Sequence, residues 1–147
     1  MLRPGDLGLS IKPSFNPNTS PEDTLAWNVQ CKGATQFEDC LGVCRFNTRT
    51  DLKLLAEALG TATGWGFSIE EAMIVGRRIV NLLRVFNIRH GHTAEMDAPA
   101  PRYGSMPEEG LPEEKNVMNH WDDMRGTYYE QMGWDRETGK PMPDTLK

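Results

Sequence analysis

A mostly α-helical fold, irregular and with long loops, is what this sequence predicts. Three observations carry that expectation. Between residues 69 and 89, apolar side chains recur at three- and four-residue spacing behind a capping box. A second stripe of the same period, Val117, Trp121, Met124 and Tyr128, lies further along the chain. No segment alternates apolar and polar residues in the way a half-buried strand does.

Residues 1–24 are expected to form an irregular N-terminal segment, with a helical domain over 25–147. Pro4-Gly5, Pro13, Asn16-Pro17-Asn18 and Ser20-Pro21 are turn and breaker signals. Ser20 is a candidate N-cap and Pro21 suits a first helical position, so a helix is predicted over 22–38. Leu25, Val29 and Phe37 give it apolar contacts, while Gly33 weakens the pattern. Residues 39–49 are expected to turn. Thr50 is the expected N-cap of a short helix over 51–59, with Leu52, Leu55, Ala56 and Leu59 on one face and Gly60 ending it in a left-handed conformation. Residues 61–66 then form a connector.

Ser68 and Glu71 form the capping box of the strongest helix, which runs to about Arg89 and stops at Gly91. Gly76 lies inside its apolar stripe, where it permits close approach of another helix. Residues 91–111 read as a loop through Pro99, Pro101, Pro107 and Gly110. A last helix is expected from Pro112 and the acidic Glu113-Glu114, ending at Gly133. Residues 136–147 read as a polar tail.

The chain has 147 residues, ten of them proline and fourteen glycine, and its apolar content is 38%. That length is enough for one domain, which can bury about two-thirds of its unfolded surface. The net charge of −5 supplies no basic field for nucleic acid. No apolar run approaches the length of a membrane span, and the N-terminal residues lack the apolar core of a signal peptide. A cytoplasmic location is the default expectation. Three cysteines, an odd count, argue against a closed disulfide framework and leave packing, metal ligation or reactivity.

Asp39-Cys40-Leu41-Gly42-Val43-Cys44 is the stretch richest in chemistry. A thiolate is the usual protein ligand for iron in an iron–sulfur cluster. A carboxylate accepts hydrogen bonds from the N–H groups of a pterin, and a glycine lets backbone come close to a bulky cofactor. Against this, free cysteines are mostly packing residues, and Cys31, Cys40 and Cys44 complete no standard zinc or ferredoxin spacing. His90 and His92 read as a polar helix cap and His120 as a surface residue. Asp122-Asp123, Glu113-Glu114 and Arg77-Arg78 read as solvated faces; Trp65, Tyr128, Tyr129 and Trp134 read as core.

Taken in order, these residues resemble a family. Asp39-x-x-Gly42-Val43-Cys44-x-Phe46 is similar to the Asp-x-x-Gly-Leu/Val-Cys motif near the C-terminus of tungsten-containing aldehyde ferredoxin oxidoreductases. Thr63-Gly64, Ser68-Ile69-Glu70-Glu71, Gly76-Arg77-Arg78-Ile79-Val80-Asn81-Leu82 and Phe86-Asn87-x-Arg89-x-Gly91 follow in the family's order. Asp97-x-x-x-Pro101-Arg102 and Tyr128-Tyr129-x-x-x-Gly133-Trp134-Asp135 complete it, so that the resemblance covers roughly residues 26–146.

The resemblance implies the family's C-terminal helical domain. It further implies a 4Fe-4S cluster and a tungsten (or molybdenum) bis-pterin, both bound only with an N-terminal part of the enzyme. By position, Cys44 would be the fourth cluster ligand and the one metal-binding residue, Asp39 would hydrogen-bond a pterin, and Gly42 and Val43 would offer backbone to it. Cys40 falls at a variable position. The family's Cys-x-x-Cys-x-x-x-Cys run, its other pterin-binding acid and its catalytic glutamate lie upstream of the part this chain resembles, so no catalytic residue is expected here. The implied function is the C-terminal portion of an oxidoreductase that converts an aldehyde to a carboxylic acid. Its partners would be the N-terminal part or a split subunit of the same enzyme, and ferredoxin or another electron-transfer subunit. The rival reading is a non-catalytic helical interaction module, or a remnant, that binds no cofactor.

Overall fold

The computed structural model describes residues 20–49, 51–104 and 116–147, and the regular elements among them are helices. No strand occurs among the described residues, only an isolated antiparallel bridge between Trp134 and Pro141. The mostly α class therefore holds. None of these helices is long and apolar enough to cross a membrane.

Ser20 caps α1 (Pro21–Cys31), its hydroxyl accepting a hydrogen bond from the Asp23 N–H at 3.0 Å. Pro21 has no N–H to leave unpaired and takes the first turn. The helix expected over 22–38 is in fact two. Lys32 is extended, Gly33 turns left-handed at φ 112°, and α2 (Ala34–Cys40) starts afresh. The cause is steric and lies in α5 (Ile69–Arg89), the longest described helix. Gly33 rests on Gly76, and a Cβ on Gly33 would stand 2.7 Å from the Gly76 carbonyl carbon. Gly76 thus does permit a close approach, as its place in the stripe suggested.

The segment 39–49 does more than turn. It holds the end of α2 and a one-turn helix, α3 (Arg45–Thr48), with Cys44 as N-cap and Arg49 left-handed at φ 54°. Asp51, not Thr50, caps α4 (Leu52–Thr63), its carboxylate accepting from the Leu54 N–H at 3.0 Å; Thr50 lies outside the described residues. α4 also runs past Gly60 to Gly64, which supplies the left-handed turn at φ 74°. The Ser68–Glu71 capping box forms in both directions, at 3.2 and 2.7 Å, and α5 ends at His90 before Gly91 (φ 92°). Short 3-10 turns follow at Ala94–Asp97 and Pro101–Gly104. The expected start of the last helix at Pro112 lies outside the described residues. Within them, α6 (Val117–Gln131) begins after its N-cap Asn116, and Gly133 follows it at φ 74°.

α5 divides the core. On one side Ala34, Phe37, Leu52, Leu55 and Ala72 join α2 and α4 to its first half. On the other, Val29, Val80, Ala94, Tyr129, Met132 and Trp134 join α1 and α6 to its second half. Burying a side chain as large as Phe37 or Leu52 contributes roughly 1.5–3 kcal/mol, and both are fully enclosed. Residues 136–147 are no loose polar tail. The Thr145 hydroxyl donates to the Gly133 carbonyl at 2.5 Å, Met142 N–H donates to the same carbonyl at 3.0 Å, and Gly139 is buried beside Arg84. The segment folds back as a hook over Trp134.

Candidate functional site

The motif loop leaves α2 at Cys40. Leu41 turns inward against the Phe37 cluster and anchors the loop from below. Gly42 then reverses the chain at φ 67°, and a Cβ there would meet nothing within 4 Å. Cys44 is extended, and its carbonyl accepts from the Asn47 and Thr48 N–H groups at 2.9 and 3.1 Å. The result is a loop whose apolar residue at 41 points into the protein while Gly42, Val43 and Cys44 are exposed.

The Asp39 carboxylate is also exposed; its Oδ1 lies 3.6 Å from an Arg45 guanidinium nitrogen. An open ion pair of this kind is worth at most about 1 kcal/mol, so the acid is free to change partners. Cys40 and Cys44 do not share a helix, because α2 ends at the first and α3 begins after the second. Cys31 is half-buried, and burial pushes its thiol up, away from the thiolate a metal needs. Among the described residues no three His, Cys, Asp or Glu side chains converge as a metal set. The donor chemistry of the loop fits one wall of a cofactor cavity: one soft sulfur, one anionic acceptor and a stretch of open backbone. It cannot by itself supply the four ligands of a 4Fe-4S cluster.

Beneath the loop lies a residue that sequence reasoning passed over. Glu38 is 0% exposed, and its carboxylate accepts the Thr48 hydroxyl and faces the Arg45 Nε at 3.9 Å. Nothing in the sequence marks an acid beside Asp39 as buried.

A second constellation sits at the far end of α5. Arg84 is buried and donates to Asp97 (2.8 and 3.1 Å), to the Gly139 carbonyl (2.9 Å) and to the Tyr129 hydroxyl (3.2 Å). Its guanidinium carbon lies 5.2 Å from the Tyr129 ring centre and 5.1 Å from that of Trp134, within cation–π range. Asp97 also accepts from Tyr129 and pairs with His92 at 2.8 Å. Burial pushes the Asp97 carboxyl up, but the hydrogen bonds from Arg84, Tyr129 and His92 and the charge of Arg84 outweigh it and hold it below the usual carboxylate range. Burial, with the bond to Asp97 and its charge, pushes the Tyr129 hydroxyl up to about 12. Trp134 Nε1–H donates to Asn81 at 2.9 Å. A groove of about 430 Å³ opens above this network. Arg84, Asp97 and Tyr129 in its floor are turned on one another, so they hold the fold together and do not aim at an occupant.

Other expectations sort as follows. His90 is the helix cap, with Nδ1 2.8 Å from the Phe86 carbonyl, but His92 belongs to Asp97. Asp122 and Asp123 are solvated and pair with Arg125 and Arg136. Arg78 is exposed, whereas Arg77 reaches inward to the Val29 carbonyl at 2.6 Å and to the Met132 sulfur. Tyr129 and Trp134 are core; Trp65, at 65% exposure, is not.

Residues 7–147 match the family model described as aldehyde ferredoxin oxidoreductase, domains 2 and 3. The tungsten-containing aldehyde ferredoxin oxidoreductase of Pyrococcus furiosus is 30% identical over an alignment covering 100% of this chain and 24% of that protein. The Pyrococcus abyssi enzyme is 28% identical with the same coverage, and that of Thermococcus kodakarensis is 28% identical over 91% of this chain and 22% of its own length. The chain therefore spans about a quarter of the length of these relatives. No solved structure matches it.

Proposed function

The chain belongs to the aldehyde ferredoxin oxidoreductase family, and on that premise we propose that it forms one wall of the cofactor cavity of a tungsten enzyme. The reaction is the oxidation of an aldehyde with water to a carboxylic acid, two protons and two electrons. Bound together, a tungsten bis-pterin and a 4Fe-4S cluster supply the redox chemistry and the outward path for the electrons. This chain's own residues bind and orient. The Cys44 thiolate takes one of the four ligand positions of the cluster. The Asp39 carboxylate leaves Arg45 and accepts hydrogen bonds from pterin N–H groups. Gly42 and Val43 present bare backbone to the same group, and the missing side chain at 42 keeps that approach open.

The remaining ligands and the catalytic acid–base residue come from another part of the same enzyme, whether on one polypeptide or two. Electrons pass on to ferredoxin or another electron-transfer subunit. The relatives share tungsten in their names, which favours that metal over molybdenum. Three free cysteines accord with a cytoplasmic setting.

The observation that carries the reading is the joint exposure of Asp39, at the end of α2, and Cys44, on the anchored loop that follows. It is tested by purifying the chain assembled with the upstream part of its enzyme and measuring iron and tungsten. Cys44→Ala is expected to strip the cluster iron, and Asp39→Ala to lower tungsten retention. Full iron content in the Cys44→Ala assembly overturns the reading.

A further inference from the structure

We infer that Glu38 is the positioning residue that fixes where the Cys44 sulfur stands, an inference that rests on the reading of Cys44 as a cluster ligand. Its location is otherwise hard to account for. An acid in the last turn of a helix opposes the helix dipole, and a buried carboxylate is costly unless donors meet it. Glu38 lies in the last turn of α2 and is 0% exposed, so it stands there only because donors meet it.

What it gains is a hold on α3. One carboxylate oxygen accepts the hydroxyl of Thr48, the last residue of α3, and the other faces the Nε of Arg45, the first, at 3.9 Å. The Thr48 hydroxyl also lies 3.2 Å from the Cys44 carbonyl. That carbonyl already accepts two backbone N–H groups, so the one hydroxyl proton goes to the Glu38 carboxyl oxygen. A single helical turn does not hold itself together in water, and α3 has four residues with Cys44 as its cap. Glu38 bonds the last residue of that turn from beneath and faces the first, and the cap moves with the turn. Arg45 further links the two acids, with Nε toward Glu38 and a terminal nitrogen 3.6 Å from Asp39. When Asp39 turns to another partner, Arg45 still has Glu38. The turn that carries the sulfur is thus fixed before any cofactor arrives, with Asp39 exposed beside it.

The test uses Glu38→Ala, Glu38→Gln and the near-isosteric Thr48→Val in the chain assembled with the upstream part of its enzyme. Cys44→Ala is made alongside. The readouts are the electron paramagnetic resonance spectrum of the reduced cluster and, on the chain alone, hydrogen exchange at the Asn47 and Thr48 amides. Glu38→Ala and Thr48→Val are expected to alter the spectrum and to speed exchange by about tenfold, the loss of one hydrogen bond. Glu38→Gln, whose amide oxygen still accepts from Thr48, restores most of both. Thr48→Val keeps the test decisive if Glu38→Ala does not fold. Parental spectra and exchange in Glu38→Ala and Thr48→Val, with iron lost in Cys44→Ala, overturn the positioning role and leave the ligand reading standing. Iron retained in Cys44→Ala overturns the ligand reading, and the role of Glu38 falls with it.

Discussion

Gly33 and Gly76 touch backbone to backbone, and the break between α1 and α2 is the outcome of that contact. A methyl group on Gly76 would overlap the Gly33 carbonyl, which leaves no room for any other residue at either place. The crossing joins the two halves of the core, because α5 serves both.

Gly76→Ala therefore sets two effects against each other. Helix propensity alone favours alanine by about 1 kcal/mol. Overpacking against rigid backbone costs typically 1–3 kcal/mol and sometimes more. The depth of the overlap with the Gly33 carbonyl puts the cost at the upper end of that range, so a net loss of roughly 2 kcal/mol is expected in urea unfolding, and a gain in stability would refute the contact.

Asp97→Asn removes the counter-charge of Arg84, which is 8% exposed. Breaking a buried pair on one side costs on the order of 3–5 kcal/mol; the partial exposure of Asp97 places this case at the lower end. Denaturation of Asp97→Asn, Tyr129→Phe and the double variant is expected to show coupling of at least about 1 kcal/mol.

Tyr129 makes stability fall at high pH. Its hydroxyl, ordinarily near 10, is pushed up to about 12 in the fold. The folded state holds that proton more tightly than the unfolded chain does. The contribution is complete below pH 10 and disappears as pH rises through about 12. Tyr129→Phe should flatten that part of the stability–pH curve relative to the parent.

Gly139→Ala tests the hook. Gly139 has φ 64°, and a Cβ there would lie 2.8 Å from the Tyr129 ring as well as against Arg84. Strain and crowding together are expected to cost about 2 kcal/mol or more. A melting temperature equal to the parent's would mean that residues 136–147 add nothing to the fold and are only the polar tail the sequence suggested.

What the sequence disclosed was local. The Ser68–Glu71 box, the Gly91 stop and the tolerance for close approach at Gly76 are written within one turn of the residues concerned. The break at Gly33 was not, since its cause sits in another helix. The same holds for Arg84, whose partners lie 13, 45 and 55 positions away and carry no common spacing. At the loop, Asp39, Gly42 and Cys44 stood out because a carboxylate, a glycine and a thiol fall in one short run, and Val43 was added only by the family resemblance. Glu38 did not, because an acid gives no sign of burial until its neighbours are in place.

Phe46, two residues beyond Cys44, is 93% exposed. A benzyl group left in water will trade it for any greasy surface on offer, whether plastic, resin or a second molecule. Loss of that ring from water in a larger assembly is the plainest sign that a surface has closed over the loop.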